Sequence, residues 1–209
     1  MPEPTVLVTA FEPFDRWKVN ASAEAVNRLV ELSNQSLGVE FLPVSFDPLL
    51  PLMKELVEDR KPDVFLLVGQ SGGSVVDIER VAVNWVHARI KDNQGKQPSN
   101  QKIVEDGPTS YFSTLPTVQI CEMLMSNGIP SNHSMTAGTY ACNYVFYLAR
   151  HYLEQVNPGG FCGFVHVPSL PSEVARLNLN LPSMSIELTS KALALVVDVS
   201  TEVWRKKNQ

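Results

Sequence analysis

Almost uninterrupted apolar runs, each followed by a helix-like segment, constrain this chain more than any other feature. TVLVTAF (5–11), DVFLLVG (63–69) and FCGFVHV (161–167) place apolar side chains on both sides of an extended backbone. A strand that is apolar on both faces must be covered on both, which is the condition of a parallel sheet inside an α/β fold. Helical patterns lie between these runs. SAEAVNRLVEL (22–32) puts Ala25, Leu29 and Leu32 on one face. PLLPLMKELVEDR (48–60) is a helix that Pro62 helps to end. PTVQICEMLMSNG (116–128) has proline at its start and Gly128 at its end, and sets Cys121 on one face with Val118, Leu124 and Met125. Further helices are expected over about 141–154 and over 185–207, and shorter strands at VEFLPVSF (39–46) and HSMT (133–136). The alternation predicts a three-layer α/β/α sandwich around a twisted, largely parallel mixed sheet. With 209 residues, 44% of them hydrophobic, the chain can bury a core of its own. No repeat or linker divides it, so residues 1–209 read as a single domain, with KDNQGKQPSNQK (91–102) as a projecting loop or hairpin.

Charge and cysteine usage remove several function classes. The formal charge is −5, and no basic stripe interleaves with aromatics, so nucleic acid is not an expected partner. The start, MPEPTVLVTAF, has no basic region before its apolar run and soon reads as a strand, so no signal peptide is expected. No apolar run reaches the ~18 residues of a membrane span. The Asn-x-Ser triplets at Asn20, Asn34 and Asn132 then read as chance. The three cysteines, Cys121, Cys142 and Cys162, show neither a C-x-x-C nor a Cys/His metal spacing. The expectation is a reduced, cytoplasmic protein with no metal or other cofactor.

Cys121 and Cys162 sit among apolar neighbours and read as packed thiols. Cys142 differs. In SMTAGTYACNYVFYLAR (134–150) it follows a strand and a glycine-containing turn and falls in the first turn of a helix. Unpaired N–H groups and the positive end of the helix dipole favour a thiolate there. A nucleophile needs a base. His151 lies on the opposite face of the same helix, ~13 Å along its axis. His133 begins the strand before the turn, at its wrong end. His166 ends a strand, and if that strand and 133–136 are parallel neighbours, their carboxyl ends bring Cys142 and His166 to one rim. A carboxylate should then orient the imidazole. Asp77 and Glu79, in the strand after GQSGG, both qualify, and spacing does not choose between them.

Several long stretches, in order, resemble the pyroglutamyl-peptidase I (pyrrolidone-carboxylate peptidase) family of cysteine peptidases. They are FEPFDRWKVN, GQSGGSVVDIERVAVN, DGPTSYFSTLP, SMTAGTYACNYVFY and GFVHVPSLP. The resemblance implies a nucleoside-phosphorylase-like fold and a single catalytic domain that removes N-terminal pyroglutamate from peptides. It assigns Cys142 as nucleophile, His166 as base and then acid, and Glu79, rather than Asp77, as the orienting carboxylate. It implies an oxyanion met by the Cys142 backbone N–H and by Arg89, a pocket walled by Phe11 and Phe14 with Gln70 as an amide partner, and a cytoplasmic homotetramer without metal. Against the family pattern, Ala10 and Asp15 stand where glycine is common, Asp77 where Ser or Thr is usual, Lys91 for Pro and Ser169 for Tyr. None of these touches the triad; they bear on the pocket rim. The alternatives are a catalytically silent small-molecule binder on the same scaffold and, from fold alone, a phosphorylase-like enzyme, for which the Gly-rich turn lacks a P-loop pattern.

Overall fold

The computed structural model describes residues 3–33 and 35–209. Asn34 of the second Asn-x-Ser triplet and the first two residues of the N-terminal stretch lie outside them. In chain order the elements are β1 (Val6–Phe11), α1 (Ala21–Leu32), β2 (Leu37–Leu42), α2 (Phe46–Arg60), β3 (Val64–Ser71), β4 (Val76–Glu79), β5 (Val81–Val83), β6 (Ser110–Phe112), α3 (Thr117–Ser126), β7 (Ser131–Ser134), α4 (Ala141–Val156), β8 (Phe161–Pro168), α5 (Pro171–Arg176) and α6 (Ile186–Lys207).

Six strands form one sheet in the order β2-β1-β3-β8-β4-β7. The pairs β1–β2, β1–β3, β3–β8 and β4–β7 are parallel, and β4–β8 is antiparallel. The apolar strands are covered on both faces, as their composition requires. On β1, β3 and β8, Val6, Val8, Val64, Leu66, Val165 and Val167 pack into a core beneath α1, α3 and α6. The alternate residues Leu7, Phe65, Leu67, Cys162 and Phe164 pack on the other face against α2 and α4. A small antiparallel pair, β5–β6, lies against α4. No helix among the described residues is long and apolar enough to cross a membrane.

Four local expectations are corrected. The buried face of α1 is Ala21, Ser22, Ala25, Val26 and Leu29, while Leu32, in the last turn, is 45% exposed. The second strand ends at Leu42, before Pro43, and Phe46 opens α2. On α3 the core face is Thr117, Ile120, Cys121 and Leu124, whereas Val118 and Met125 face outward. These positions follow the three- and four-residue spacing of one helical stripe. The 91–102 stretch does turn back as a hairpin, with Val86 bridging Gln101 in antiparallel sense and the Asp92 N–H donating to the Lys96 carbonyl, but it packs against the body of the fold instead of projecting. Buried Asp92 accepts hydrogen bonds from the backbone N–H groups of Phe46, Gln94 and Lys96 and folds the segment back onto the start of α2.

The fifth correction concerns how Cys142 meets His166. The strand before Cys142, β7, does not neighbour β8, because β4 lies between them. Since β7 runs parallel to β4 and β4 antiparallel to β8, the carboxyl ends of β7 and β8 point in opposite directions. The segment 135–140 makes the return, carrying the chain from the end of β7 back to the rim where β3 and β8 finish.

Candidate active site

Three elements converge at that rim. β8 carries His166, antiparallel β4 carries Glu79 just inside the rim opposite Phe164, and α4 begins one residue before Cys142. Asp77 and Glu79 alternate on β4 with the buried Val76 and Ile78, so both carboxylates share the His166 face of the sheet. Of the two carboxylates left open by spacing, Glu79 makes the bond: His166 Nδ1 lies 2.7 Å from Glu79 Oε1, both residues being buried. With Nδ1 engaged there, Nε2 is the nitrogen left for chemistry. The other carboxylate oxygen, Glu79 Oε2, is buried without a hydrogen-bond partner among the described residues, so the imidazole is the group that answers this charge.

Cys142 is half-buried, in the first turn of α4, and lines the same cleft as His166. Its sulfur lies over Gly69 of β3, the register partner of His166, so close that a Cβ on Gly69 would stand 3.0 Å from Sγ. Tyr140 caps α4 in an extended conformation without a side-chain cap bond, so the cap leaves the N–H groups of this turn, that of Cys142 among them, to other partners. Two further residues set the helix start. Buried Asn143 accepts from the Val83 N–H and donates to the Val83 and Trp85 carbonyls. Thr139 donates through Oγ1 to the His87 carbonyl and accepts the His87 N–H on its own carbonyl.

The electrostatics favour an imidazolium. Burial alone pushes His166 down, but the charge of Cys142, the hydrogen bond to Glu79 and the Glu79 charge together raise its pKa to about 10. Such a cation beside Sγ is the counter-charge a thiolate requires. Asp77 titrates high for a carboxyl, because of burial and then the Glu79 charge, against a smaller opposing pull from His166. The remaining thiols are unsuited to attack: burial pushes Cys162 up to about 12 and also raises Cys121.

The group opens into a cleft of about 640 Å³, whose lining includes Ser71, Gly73 and Asp77 together with His87, Arg89 and Ile90. Arg89 is exposed within that lining. A narrow apolar crevice leads off the cleft beside Cys142, lined by Phe11, Phe14, Val44 and Ala141 and flanked by Asn20, Gln70 and Tyr140. Phe11 belongs to both the core and the crevice, while Phe14 is half-buried and lines crevice and cleft alike. The Gln70 side chain braces this wall: Oε1 accepts from the Ala21 N–H at 2.7 Å and Nε2 donates to Ser169. Asp15, beside Phe14, adopts φ +51°, the left-handed region that favours glycine.

Sequence reasoning missed Gly69, Asn143 and Thr139. Their signal is proximity to the cysteine and the first glycine-containing strand end, but their partners are remote in the chain.

Comparison with known proteins gives the family. The family model described as pyroglutamyl peptidase matches residues 4–203. The pyrrolidone-carboxylate peptidase of Brevibacillus brevis is 41% identical over 199 residues, 94% of this chain and 92% of that protein. Pyrrolidone-carboxylate peptidase 2 of Photorhabdus laumondii is 41% identical over 197 residues, 93% and 90% of the two chains. Among solved structures, pyroglutamyl peptidase I from Bacillus amyloliquefaciens superposes with a TM-score of 0.90 at 36% identity, over 96% of each chain. Pyrrolidone carboxyl peptidase from Pyrococcus furiosus gives 0.90 at 37%, over 96% of this chain and 99% of that one. A likeness that spans the chain in sequence and in fold, around a cysteine, a histidine and a glutamate drawn together at one sheet edge, makes this chain a member of the pyroglutamyl peptidase family.

Proposed function

We propose that the chain is a cysteine omega-peptidase that hydrolyses the amide bond following an N-terminal pyroglutamyl residue and releases 5-oxoproline. The observation that carries this reading is the 2.7 Å Glu79–His166 bond beside a helix-start cysteine that borders an apolar crevice. Cys142 Sγ attacks the pyroglutamyl carbonyl carbon. The oxyanion is met by the Cys142 N–H, with Arg89 of the cleft lining as second donor. His166 gives its proton to the leaving amine as the C–N bond breaks, leaving a thioester. It then takes a proton from water, whose oxygen attacks the thioester and frees the thiolate. Glu79 holds the ring through Nδ1 and balances the imidazolium.

The crevice accounts for the acyl group. It has room for about 20 Å³ as it stands and opens on the cleft. The lactam ring is therefore held at its mouth, against Phe14 and Tyr140, with the scissile carbonyl at Sγ. A neutral lactam suits such apolar walls, whereas an ammonium left there without a partner costs several kcal/mol. The same reading includes a homotetramer in the cytoplasm, supported by the motif resemblance and tested by light scattering, where a 23.2 kDa particle would refute the assembly.

The experiment is kcat/KM on matched pyroglutamyl, prolyl and glutaminyl amides of one leaving group. Turnover confined to the pyroglutamyl amide, and lost on alkylation of Cys142, is expected. Equal values for all three amides would overturn the pocket assignment, and full activity of Cys142→Ala would overturn the mechanism.

A further inference from the structure

Phe14 stands on a strap, residues 12–20, that crosses from β1 to α1 and holds no regular secondary structure of its own. Its ends are fixed locally. The Glu12 N–H donates to the Leu42 carbonyl, and Asn20 Nδ2 donates to the Glu12 carbonyl. Phe14 sits in a tight turn closed by the Trp17 N–H on its carbonyl, with Asp15 in the left-handed region.

The middle of the strap is gripped from a distance of more than 150 residues in sequence. Glu173 of α5 accepts the Lys18 N–H at 2.8 Å and the Val19 N–H at 3.4 Å on Oε2. Arg176 donates to Glu173 through Nε and Nη2, each at 2.7 Å, and the same Nη2 donates to the Arg16 carbonyl at 2.9 Å. Glu173 is 6% exposed. Its carboxyl is held down to about 2, chiefly by Arg176, against burial and with help from the two strap N–H groups. Charge-assisted, forked bonds of this kind are the strong ones, and they fix geometry as well as energy.

α5 begins three residues after β8 ends. The grip therefore ties the Phe14 wall of the crevice to the strand that bears His166. We infer that Glu173, bridged to Arg176, is a positioning residue for substrate selection, setting Phe14 against the acyl group at a fixed distance from the catalytic histidine. This rests on the reading that Phe14 borders the lactam. Glu173 touches no reacting group, so its removal should act on binding of the acyl ring rather than on the chemistry of Cys142.

The test compares Glu173→Ala, Glu173→Gln and Arg176→Gln with the parent enzyme, well below each variant's Tm. Glu173→Ala should raise KM for a pyroglutamyl amide about tenfold with kcat within about twofold, the signature of lost uniform binding. Glu173→Gln, which keeps one acceptor oxygen but turns an N–H toward Arg176, should fall between, as should Arg176→Gln. Iodoacetamide should alkylate Cys142 at the parent rate in all three variants, while protection by 2-pyrrolidinone should need about tenfold more of it in Glu173→Ala. A KM unchanged or lowered in folded Glu173→Ala, or a fall in kcat with alkylation slowed to match, would overturn the inference. A parent enzyme that fails on pyroglutamyl amides would instead overturn the function on which it rests.

Discussion

Gly69→Ala tests the geometry of the site with a single methyl group. A Cβ at this position would lie 2.7 Å from Phe164 Cζ, 3.0 Å from Phe164 Cε1 and 3.0 Å from Cys142 Sγ. Carbon contacts are comfortable at ~3.5–4.0 Å, so the overlap with the ring approaches ~1 Å. Phe164 has little room to yield. It is fully buried, with ring centroids 6.0 Å from Phe146 and 4.8 Å from His166. Overpacking of this kind costs about 1–3 kcal/mol, and at this chain length each kcal/mol moves Tm by about 2–4 °C. The sulfur, half-buried at the cleft floor, can move outward, and a ~1 Å misplacement of a reacting group lowers rate by about 10²-fold. The expected result is a folded enzyme with Tm lowered by several degrees, kcat down about 10²-fold, KM little changed and Cys142 alkylation slowed. Gly159→Ala is the control, since its Cβ would meet nothing closer than 3.8 Å. Gly69→Ala with parental kcat and alkylation rate would refute the placement of Sγ over β3.

Three other outcomes follow from the same structure. Iodoacetamide at mildly alkaline pH should label Cys142 and spare Cys162, which is buried and titrates at about 12, and Cys121, whose thiol burial also raises; peptide mapping with the label on Cys121 would reject the assignment. Glu79→Gln should lower kcat by about 10²–10⁴-fold and bring the His166 titration down from about 10, read by NMR of the ring, and an unmoved titration would remove Glu79 as its partner. Asp77→Asn should stabilise the fold at neutral pH. The folded-state pKa of Asp77 is raised above its ordinary 3.8, so its favourable contribution is complete below 3.8 and is lost as pH rises through the folded value. The Tm advantage of the variant should therefore appear above that range and vanish below it, and an advantage independent of pH would contradict this origin.

The layered architecture was legible because each strand declares its own surroundings. Val6, Leu66 and Val165 on one face and Leu7, Phe65 and Phe164 on the other must all leave water, and only helices on both sides allow that. The setting of Cys142 was legible too, since a helix start is a local property of a few consecutive residues. Residue pattern alone left Asp77 and Glu79 level, because both occupy the same face of one strand; the family resemblance separated them, and in three dimensions the 2.7 Å bond to His166 does so independently. The strand adjacency assumed for Cys142 and His166 was wrong although their meeting was right. Strand order depends on which edges pair across the chain, and β4 inserted itself antiparallel between β8 and β7. Gly69, Asn143 and the Glu173–Arg176 grip on the Phe14 strap were beyond local reading for the same reason. Each acts through a partner brought close by folding, at separations of 60 residues for Asn143 and 155 for Glu173. Periodicity and helix signals report what a segment must bury or cap; which distant group meets it is decided when the layers close.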